Sequence, residues 1–239
     1  MVIKGWQKFS LLDYPEKISC ILFVANCNFR CSFCHNRDLV LNSSKLPEIS
    51  QEEIFSFLEK RKGQLDGVVI TGGEPTLYKD LREFIKKIKN FSYFVKLDTN
   101  GSDPEMIQTL ITDKLIDYWA MDIKGPLDQR YEKITNSKLE IEDIKKSIKL
   151  ILNSGVNFEF RTTIVPGIHN EKVLLEMANQ FNDLICQSDN FKWYLQSFLP
   201  QNCLNPEFVK IKPCSSSEMD KLYKEVKKFF PKVVLRGKD

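Results

Sequence analysis

No run of about 18 consecutive apolar residues occurs in the 239-residue chain, so no segment reads as a membrane-spanning helix. The N-terminus MVIKGWQKFS lacks the apolar stretch of a secretory signal, which makes the cytoplasm the expected location. An excess of either charge is also lacking. Thirty-five Lys and Arg stand against 32 Asp and Glu, a net of +3, which gives no support for binding to nucleic acid or a membrane surface. There is no low-complexity segment, no repeat and no Pro/Gly-rich linker, which favours one continuous domain over residues 1–239 with a sizeable core. Seven cysteines, an odd number, in a reducing compartment read as metal or redox sites and not as disulfides.

What is present is alternation. The apolar run SCILFVAN reads as a buried strand, and SQEEIFSFLEKRK as a helix with Ser50 as N-cap and Glu53 completing a capping box. GVVITGG is a second strand, and LYKDLREFIKKIKN spaces Leu77, Leu81, Phe84, Ile85 and Ile88 along one helical face. YFVKLDTNG, DYWAMDIKG, NFEFRTTIVPG and FKWYLQSF are further strands. The intervening helices run from Pro104 to Thr112, Ile141 to Asn153 and Glu171 to Asn182. The expected class is α/β. Six βα units over residues 19–200 are too few for an eight-stranded barrel and suit an open, partial (β/α)6 barrel. Residues 1–18 are expected to form a short hairpin at the barrel edge. Residues 201–239 form a C-terminal extension with a helix from Ser215 to Phe230.

The polar clusters CNFRCSFCHN, GGEP, DTNG, DIKG and VPGIHN each follow an apolar strand run, and a parallel α/β barrel gathers those strand ends around one mouth. In the first cluster Cys27, Cys31 and Cys34 fall within eight positions. Four thiolates would complete a zinc site or ligate every iron of a cubane cluster. Three leave one position open for another ligand. The competing arrangement is a Cys3His zinc knuckle with His35, but His35 directly adjoins Cys34, and neighbouring residues rarely turn back to one ion.

The CxxxCxxC spacing, Phe33 before its last cysteine, and GGEP after the second strand together resemble the radical S-adenosylmethionine (SAM) superfamily. The resemblance implies a 4Fe–4S cluster on Cys27, Cys31 and Cys34. Its free iron binds the amino and carboxylate groups of SAM, and a cluster electron cleaves the sulfonium to a hydrogen-abstracting 5′-deoxyadenosyl radical. Phe33, Cys34 and His35 would then line the adenine pocket, although Phe33 also suits an ordinary core position. In TGGEP, Gly72 and Gly73 permit close backbone approach, and Glu74 supplies an anion suited to an ammonium group. Asp98, Thr99 and Asp122 offer hard oxygen ligands, and Lys124 can neutralise a carboxylate. Taken bare, DTNG reads equally as a turn with Asn100 and Gly101 at positive φ.

CNFRCSFCHNRD, DTNG, DIKG and FRTTIVPG together resemble the activating enzymes of glycyl radical enzymes, the pyruvate formate-lyase type included. That likeness implies a monovalent cation among Asp98, Thr99 and Asp122. It also implies a SAM-facing or partner-facing role for Arg161, for which a plain salt bridge is the alternative. The partner would be a glycyl radical enzyme offering its C-terminal glycyl loop, with a flavodoxin- or ferredoxin-type electron donor. FSLLDYPEK, LQSFLPQNCLNPE and VVLRGKD are most similar to the activating proteins of anaerobic ribonucleoside-triphosphate reductases. One departure is Glu16, where that group's tight turn has glycine, so a local difference in the turn is expected. Cys20, Cys186, Cys203 and Cys214 are expected to ligate nothing. No cysteine lies between Cys34 and GGEP, so a single cluster is expected. Competing readings are a radical SAM enzyme for a small, nucleobase-like molecule, an iron–sulfur electron carrier, and a zinc module.

Overall fold

The computed structural model describes residues 1–185 and 191–236. Its strands are β1 (Ile3–Ser10), β2 (Ser19–Val24), β3 (Gly67–Gly72), β4 (Phe94–Thr99), β5 (Tyr118–Asp122), β6 (Asn157–Ile164), β7 (Trp193–Ser197) and β8 (Val233–Arg236). Its helices are α1 (Arg37–Leu41), α2 (Gln51–Lys60), α3 (Leu81–Asn90), α4 (Pro104–Thr112), α5 (Arg130–Thr135), α6 (Ile141–Leu152), α7 (Glu171–Ile185) and α8 (Ser216–Phe229). The strands form one eight-stranded sheet in sequence order, β1 to β8. β1 runs antiparallel to β2, and each later neighbour pair is parallel. Among the described residues β8 does not pair with β1, so the sheet is an open, partial barrel of α/β class.

The six expected strands are β2 to β7, and the structure adds a parallel seventh, β8. The N-terminal segment differs from a self-contained hairpin: it supplies a single strand, β1, whose partner is β2 itself. Leu77 does not join the α3 stripe. It lies in a short 3-10 turn after GGEP and is 41% exposed, whereas Leu81, Phe84, Ile85 and Ile88 are buried. Ser50 caps α2 by accepting from the Glu53 N–H at 3.1 Å, but among the described residues the full reciprocal box forms at α8, between Ser215 and Glu218.

Strand periodicity explains where the polar site comes from. Alternate residues share a face, so Lys96 and Asp98 on β4, and Glu159, Arg161 and Thr163 on β6, lie on the same side of their strands. The Arg161 guanidinium reaches Asp98 on β4 and Asp122 on β5, tying three strands across the polar face. The opposite faces of the strands pack on the helices, where Phe160, Phe181, Phe191, Trp193 and Phe230 meet in edge and stacked contacts.

The β1–β2 turn keeps its left-handed residue despite the missing glycine. Glu16 stands at φ +62° and Lys17 N–H bonds to the Tyr14 carbonyl at 3.2 Å, while the Lys17 ammonium sits 3.8 Å from the Phe94 ring centroid. A side chain in this region carries a Cβ clash that glycine lacks. Replacing Glu16 by glycine is therefore expected to stabilise the chain by about 0.5–1 kcal/mol after the added freedom of the unfolded chain is counted. Urea unfolding should show a higher midpoint with an unchanged slope; a midpoint at or below wild type would mean that the turn carries no strain.

Candidate active site at the strand ends

The cysteine loop leaves β2 at Ala25 and is fixed from three sides. Gly73 N–H bonds to the Val24 carbonyl and Glu74 N–H to the Asn26 carbonyl, both at 2.8 Å, so GGEP runs against the start of the loop. A Cβ on Gly73 would lie 1.7 Å from the Asn26 oxygen, and Gly72 takes φ +111° with the Val24 backbone nitrogen 2.6 Å from its would-be Cβ, so both glycines serve close approach. Asn36 donates to the Gly72 carbonyl at 2.7 Å. From the far end of the chain, Leu204 and Asn205 N–H groups bond to the Cys34 and Ser32 carbonyls at 2.9 Å. The Asn202 amide reaches the His35 carbonyl, and Phe198 meets the His35 ring at 5.8 Å.

Cys27, Cys31 and Cys34 line one cavity of about 200 Å³. The same cavity is lined by every other residue singled out from the sequence: Phe33, His35, Gly72, Gly73, Glu74, Asp98, Thr99, Asp122, Lys124 and Arg161. A larger cavity, about 790 Å³, opens at the opposite strand ends among Tyr14, Phe94 and Tyr118, and contains none of them. Cys20 and Cys203 are buried and Cys214 is half-buried, all outside the lining of the first cavity; Cys186 lies outside the described residues.

The charges at the mouth are paired. Arg161 donates to Asp122 at 2.8 Å and to Asp98 at 3.2 Å, Lys96 reaches Asp98 at 2.5 Å, and Lys124 reaches Asp122 at 2.9 Å. Burial pushes the Asp122 carboxyl up, but Arg161 and Lys124 outweigh it and hold the group well below the usual carboxylate range. Asp98 shifts down for the same reason, with Arg161 and Lys96 overcoming burial. Glu74 differs: it is 1% exposed, and burial pushes its carboxyl up against hydrogen bonds from Thr76, Thr99 and Asn100. Oε1 accepts from the Thr76 N–H and hydroxyl and from the Thr99 hydroxyl, whereas Oε2 accepts from the Asn100 N–H at 2.7 Å. Thr99 therefore turns its hydroxyl to Glu74.

Three contributors have roles at the site that no local sequence signal gives. Asn100 is buried and lines the cavity; only Gly101 of that pair has positive φ. His169, from VPGIHN, accepts from Val165 N–H at Nδ1 and donates through Nε2 to the Lys124 carbonyl at 3.1 Å, a tautomer set by the obligate backbone donor. The strap from Phe198 to Asn205 was visible as a motif, but a contact between segments so far apart in sequence has no local signal.

The donor set suits an iron–sulfur group. Burial drives the Cys27 and Cys31 thiols up to about 11 and 12, against the pull of Lys124, so uncompensated thiolates are costly there and a metal would stabilise them. Phe29 N–H is aimed at the Cys27 sulfur at 3.4 Å, a donor that would stabilise negative charge on that sulfur. No group of three or more His, Cys, Asp or Glu side chains is placed to hold one metal ion among the described residues. Three sulfurs spread around a cavity fit a larger body better.

With this geometry in place, the comparisons are specific. The sequence profile of the radical SAM superfamily matches residues 21–178, and the chain belongs to that superfamily. It is thus a radical SAM enzyme, and membership implies a 4Fe–4S cluster and SAM. Over 98% of its length it is 35% identical to a protein of Methanocaldococcus jannaschii named "Putative glycyl-radical enzyme activating enzyme", covering 95% of that protein. The pyruvate formate-lyase-activating enzyme of Clostridium pasteurianum is 30% identical over 71% of both chains. The fold is shared with Streptococcus suis SuiB bound to its precursor peptide SuiA, at TM-score 0.64 and 16% identity over 91% of this chain and 48% of the other. It is also shared with anSMEcpe carrying bound AdoMet, at TM-score 0.58 and 17% identity over 89% and 61%.

The buried His169 carries a pH dependence. Burial lowers its pKa from 6.5 to about 4, so below pH 6.5 the unfolded chain binds a proton that the folded chain refuses. Stability is expected to fall by at most about 3 kcal/mol as pH drops from 6.5 to 4. His35, half-buried, is lowered in the same sense, so the contribution is isolated by difference. In His169→Asn that part of the pH slope should shrink, while the loss below pH 4 from Asp98 and Asp122 persists. Parallel wild-type and variant slopes across this window would show that His169 is protonated in the fold.

Proposed function

We propose that this enzyme removes one hydrogen atom from a glycine Cα of a partner glycyl radical enzyme, with anaerobic ribonucleoside-triphosphate reductase as the first-choice partner. The observation that carries this reading is the M. jannaschii relative, which matches across nearly the full length of both chains. The C. pasteurianum relative supports the same chemistry on a partner of the pyruvate formate-lyase kind.

In this reading Cys27, Cys31 and Cys34 would hold the cluster, and Phe33, His35 and the GGEP backbone would shape the SAM site. When bound, cluster and SAM supply a one-electron cleavage of the sulfonium and a carbon radical strong enough to take a glycine hydrogen. The chain's own part is placement. Arg161 and Lys124 would offer positive charge to a carboxylate, and Asp98 and Asp122 negative charge to the ammonium and sulfonium, all four held by the ion pairs already described. Glu74, held instead by the donors of Thr76, Thr99 and Asn100, would offer a carboxyl oxygen to the ammonium. A monovalent cation among Asp98, Thr99 and Asp122 would share these carboxylates with Arg161. His169 holds the Lys124 backbone and so sets where its side chain begins. Because hydrogen-atom removal would fall on whichever C–H bond is held nearest, such positioning would matter more than acid or base strength. A flavodoxin- or ferredoxin-type donor in the cytoplasm completes the proposal.

A second reading has its own support. A Pyrococcus horikoshii protein named "Probable GTP 3',8-cyclase" is 23% identical over 80% of this chain and 64% of that protein. A small nucleotide substrate is the corresponding alternative.

The test is anaerobic reconstitution followed by electron paramagnetic resonance with and without SAM, then incubation with candidate partners and a reductant. A reduced-cluster signal that shifts with SAM, 5′-deoxyadenosine production, and an oxygen-labile radical on the glycyl partner are expected. Cys31→Ala should abolish all three. Turnover of a nucleotide without any partner protein would replace the activase reading with the second one, and a SAM-indifferent metal site would end both.

A further inference from the structure

Asn100 holds a position that the proposed chemistry does not use. Its side-chain amide nitrogen lies 3.8 Å from the Cys27 sulfur and 2.9 Å from Asn28 Oδ1. Asn28 in turn donates from Nδ2 to the Ser102 hydroxyl at 2.8 Å, and the Ser102 backbone N–H donates to Asn100 Oδ1 at 2.9 Å. These contacts close a ring around two amides.

The ring settles which way the Asn100 amide faces. A backbone N–H can only donate, so the atom it meets on Asn100 must be the oxygen, and the NH2 is left facing Cys27 and Asn28. Asn28 is then oriented by its neighbour: its oxygen receives the Asn100 amide and its nitrogen faces Ser102. The Asn100 backbone is fixed separately, since its N–H bonds to the buried Glu74 carboxylate at 2.7 Å. Asn100 itself is 6% exposed, so the donor side of this part-buried contact is largely removed from water. Phe29 N–H approaches the same sulfur at 3.4 Å, so one cysteine of the triad receives a backbone donor and a side-chain donor.

We propose that Asn100 is a positioning residue that tunes the reduction potential of the cluster through Cys27, with Asn28 and Ser102 holding its amide in the donating orientation. N–H groups directed at a cysteinyl sulfur stabilise negative charge on it, and the reduced cluster carries one more electron than the oxidised one. Hydrogen bonding to the sulfurs is one of the levers that set such potentials. The sign follows: the amide favours the reduced state and eases electron uptake from a weak one-electron donor. No bond forms or breaks; the electron comes from an external donor of the flavodoxin or ferredoxin class. The inference rests on the cluster that superfamily membership implies, and not on the identity of the partner protein.

The experiment is a spectroscopic redox titration of the anaerobically reconstituted full chain, with wild type, Asn100→Leu and Asn28→Ala matched for iron and sulfide content. Leucine keeps the approximate size and removes the donor without adding charge. In Asn100→Leu the reduced-to-oxidised ratio at a fixed poise is expected to fall about tenfold, equal to about 59 mV for one electron. Asn28→Ala leaves Asn100 in place but opens the ring, and should move the midpoint in the same direction by less. Both reduced variants should also show altered g-values. If Asn100→Leu does not load a cluster, Asn28→Ala decides. A midpoint equal to wild type in every variant that loads overturns the inference. A wild-type protein that binds no cluster overturns it too, and shows itself as a colourless protein instead of an unmoved midpoint.

Discussion

The site depends on a carboxylate buried without a cation. Glu74 is 1% exposed, burial pushes its carboxyl pKa up, and its two oxygens accept from neutral donors on Thr76, Thr99 and Asn100. Carboxyl oxygens removed from water are strongly penalised unless such donors are fixed in place. That requirement makes the GGEP and DTNG turns one unit, because neither alone satisfies the group. The same unit reaches the cysteine loop through Glu74 N–H to Asn26 and through the Asn100 amide to Cys27. The position of one sulfur is therefore linked to the buried Glu74 carboxyl group.

The second layer is ionic and organised by strand register. Asp98 pairs with Ala120 in the β4–β5 ladder, and Asp122 with Arg161 in the β5–β6 ladder, which brings the three charged side chains together across adjacent strands. Below them Glu159, 1% exposed, accepts from Arg236 of β8 and from the Tyr118 hydroxyl. The polar face is thus a ladder of opposite charges that joins β4, β5, β6 and β8. Such fixed charges need little rearrangement when a zwitterionic ligand arrives, which is the condition for electrostatic preorganisation.

Much of this was legible in the sequence because it is local. An apolar run followed by a short polar motif identifies a strand and its end, and six such runs were enough to place the cysteines, GGEP, DTNG, DIKG and Arg161 at one mouth. What escaped was short or long-range. Helices α1 and α5 have five and six residues, too few for a helical period to emerge, and β8 is four residues of VVLR near the end of the chain. Leu77 kept the spacing of the α3 stripe but followed Pro75 into a 3-10 turn. Asn100 read as a turn former because Asn-Gly usually is one, yet only Gly101 takes positive φ, which frees the Asn100 side chain for the cavity. Glu16 shows the converse: a residue other than glycine occupies a left-handed turn position, since the Tyr14–Lys17 hydrogen bond and the contact of Lys17 with Phe94 hold it.

The strap after β7 adds a further constraint. Two of its backbone N–H groups satisfy carbonyls of the cysteine loop, which has a single hydrogen-bonded turn, Cys31 to Cys34, but no helix or strand between Cys27 and Cys34 to satisfy them. Cys203 sits in this strap at 1% exposure, where burial, and then the nearby Cys34, push its thiol pKa up. It is thus a neutral, buried thiol whose side chain packs the strap while the neighbouring backbone holds the loop. A loop pinned at Asn26 by GGEP, at Cys27 by Asn100 and at Ser32 and Cys34 by the strap has little freedom left. The three sulfurs are then arranged by contacts from residues near 74, 100 and 204 as much as by their own CxxxCxxC spacing. The motif brings three cysteines close in sequence; the rest of the chain sets their geometry.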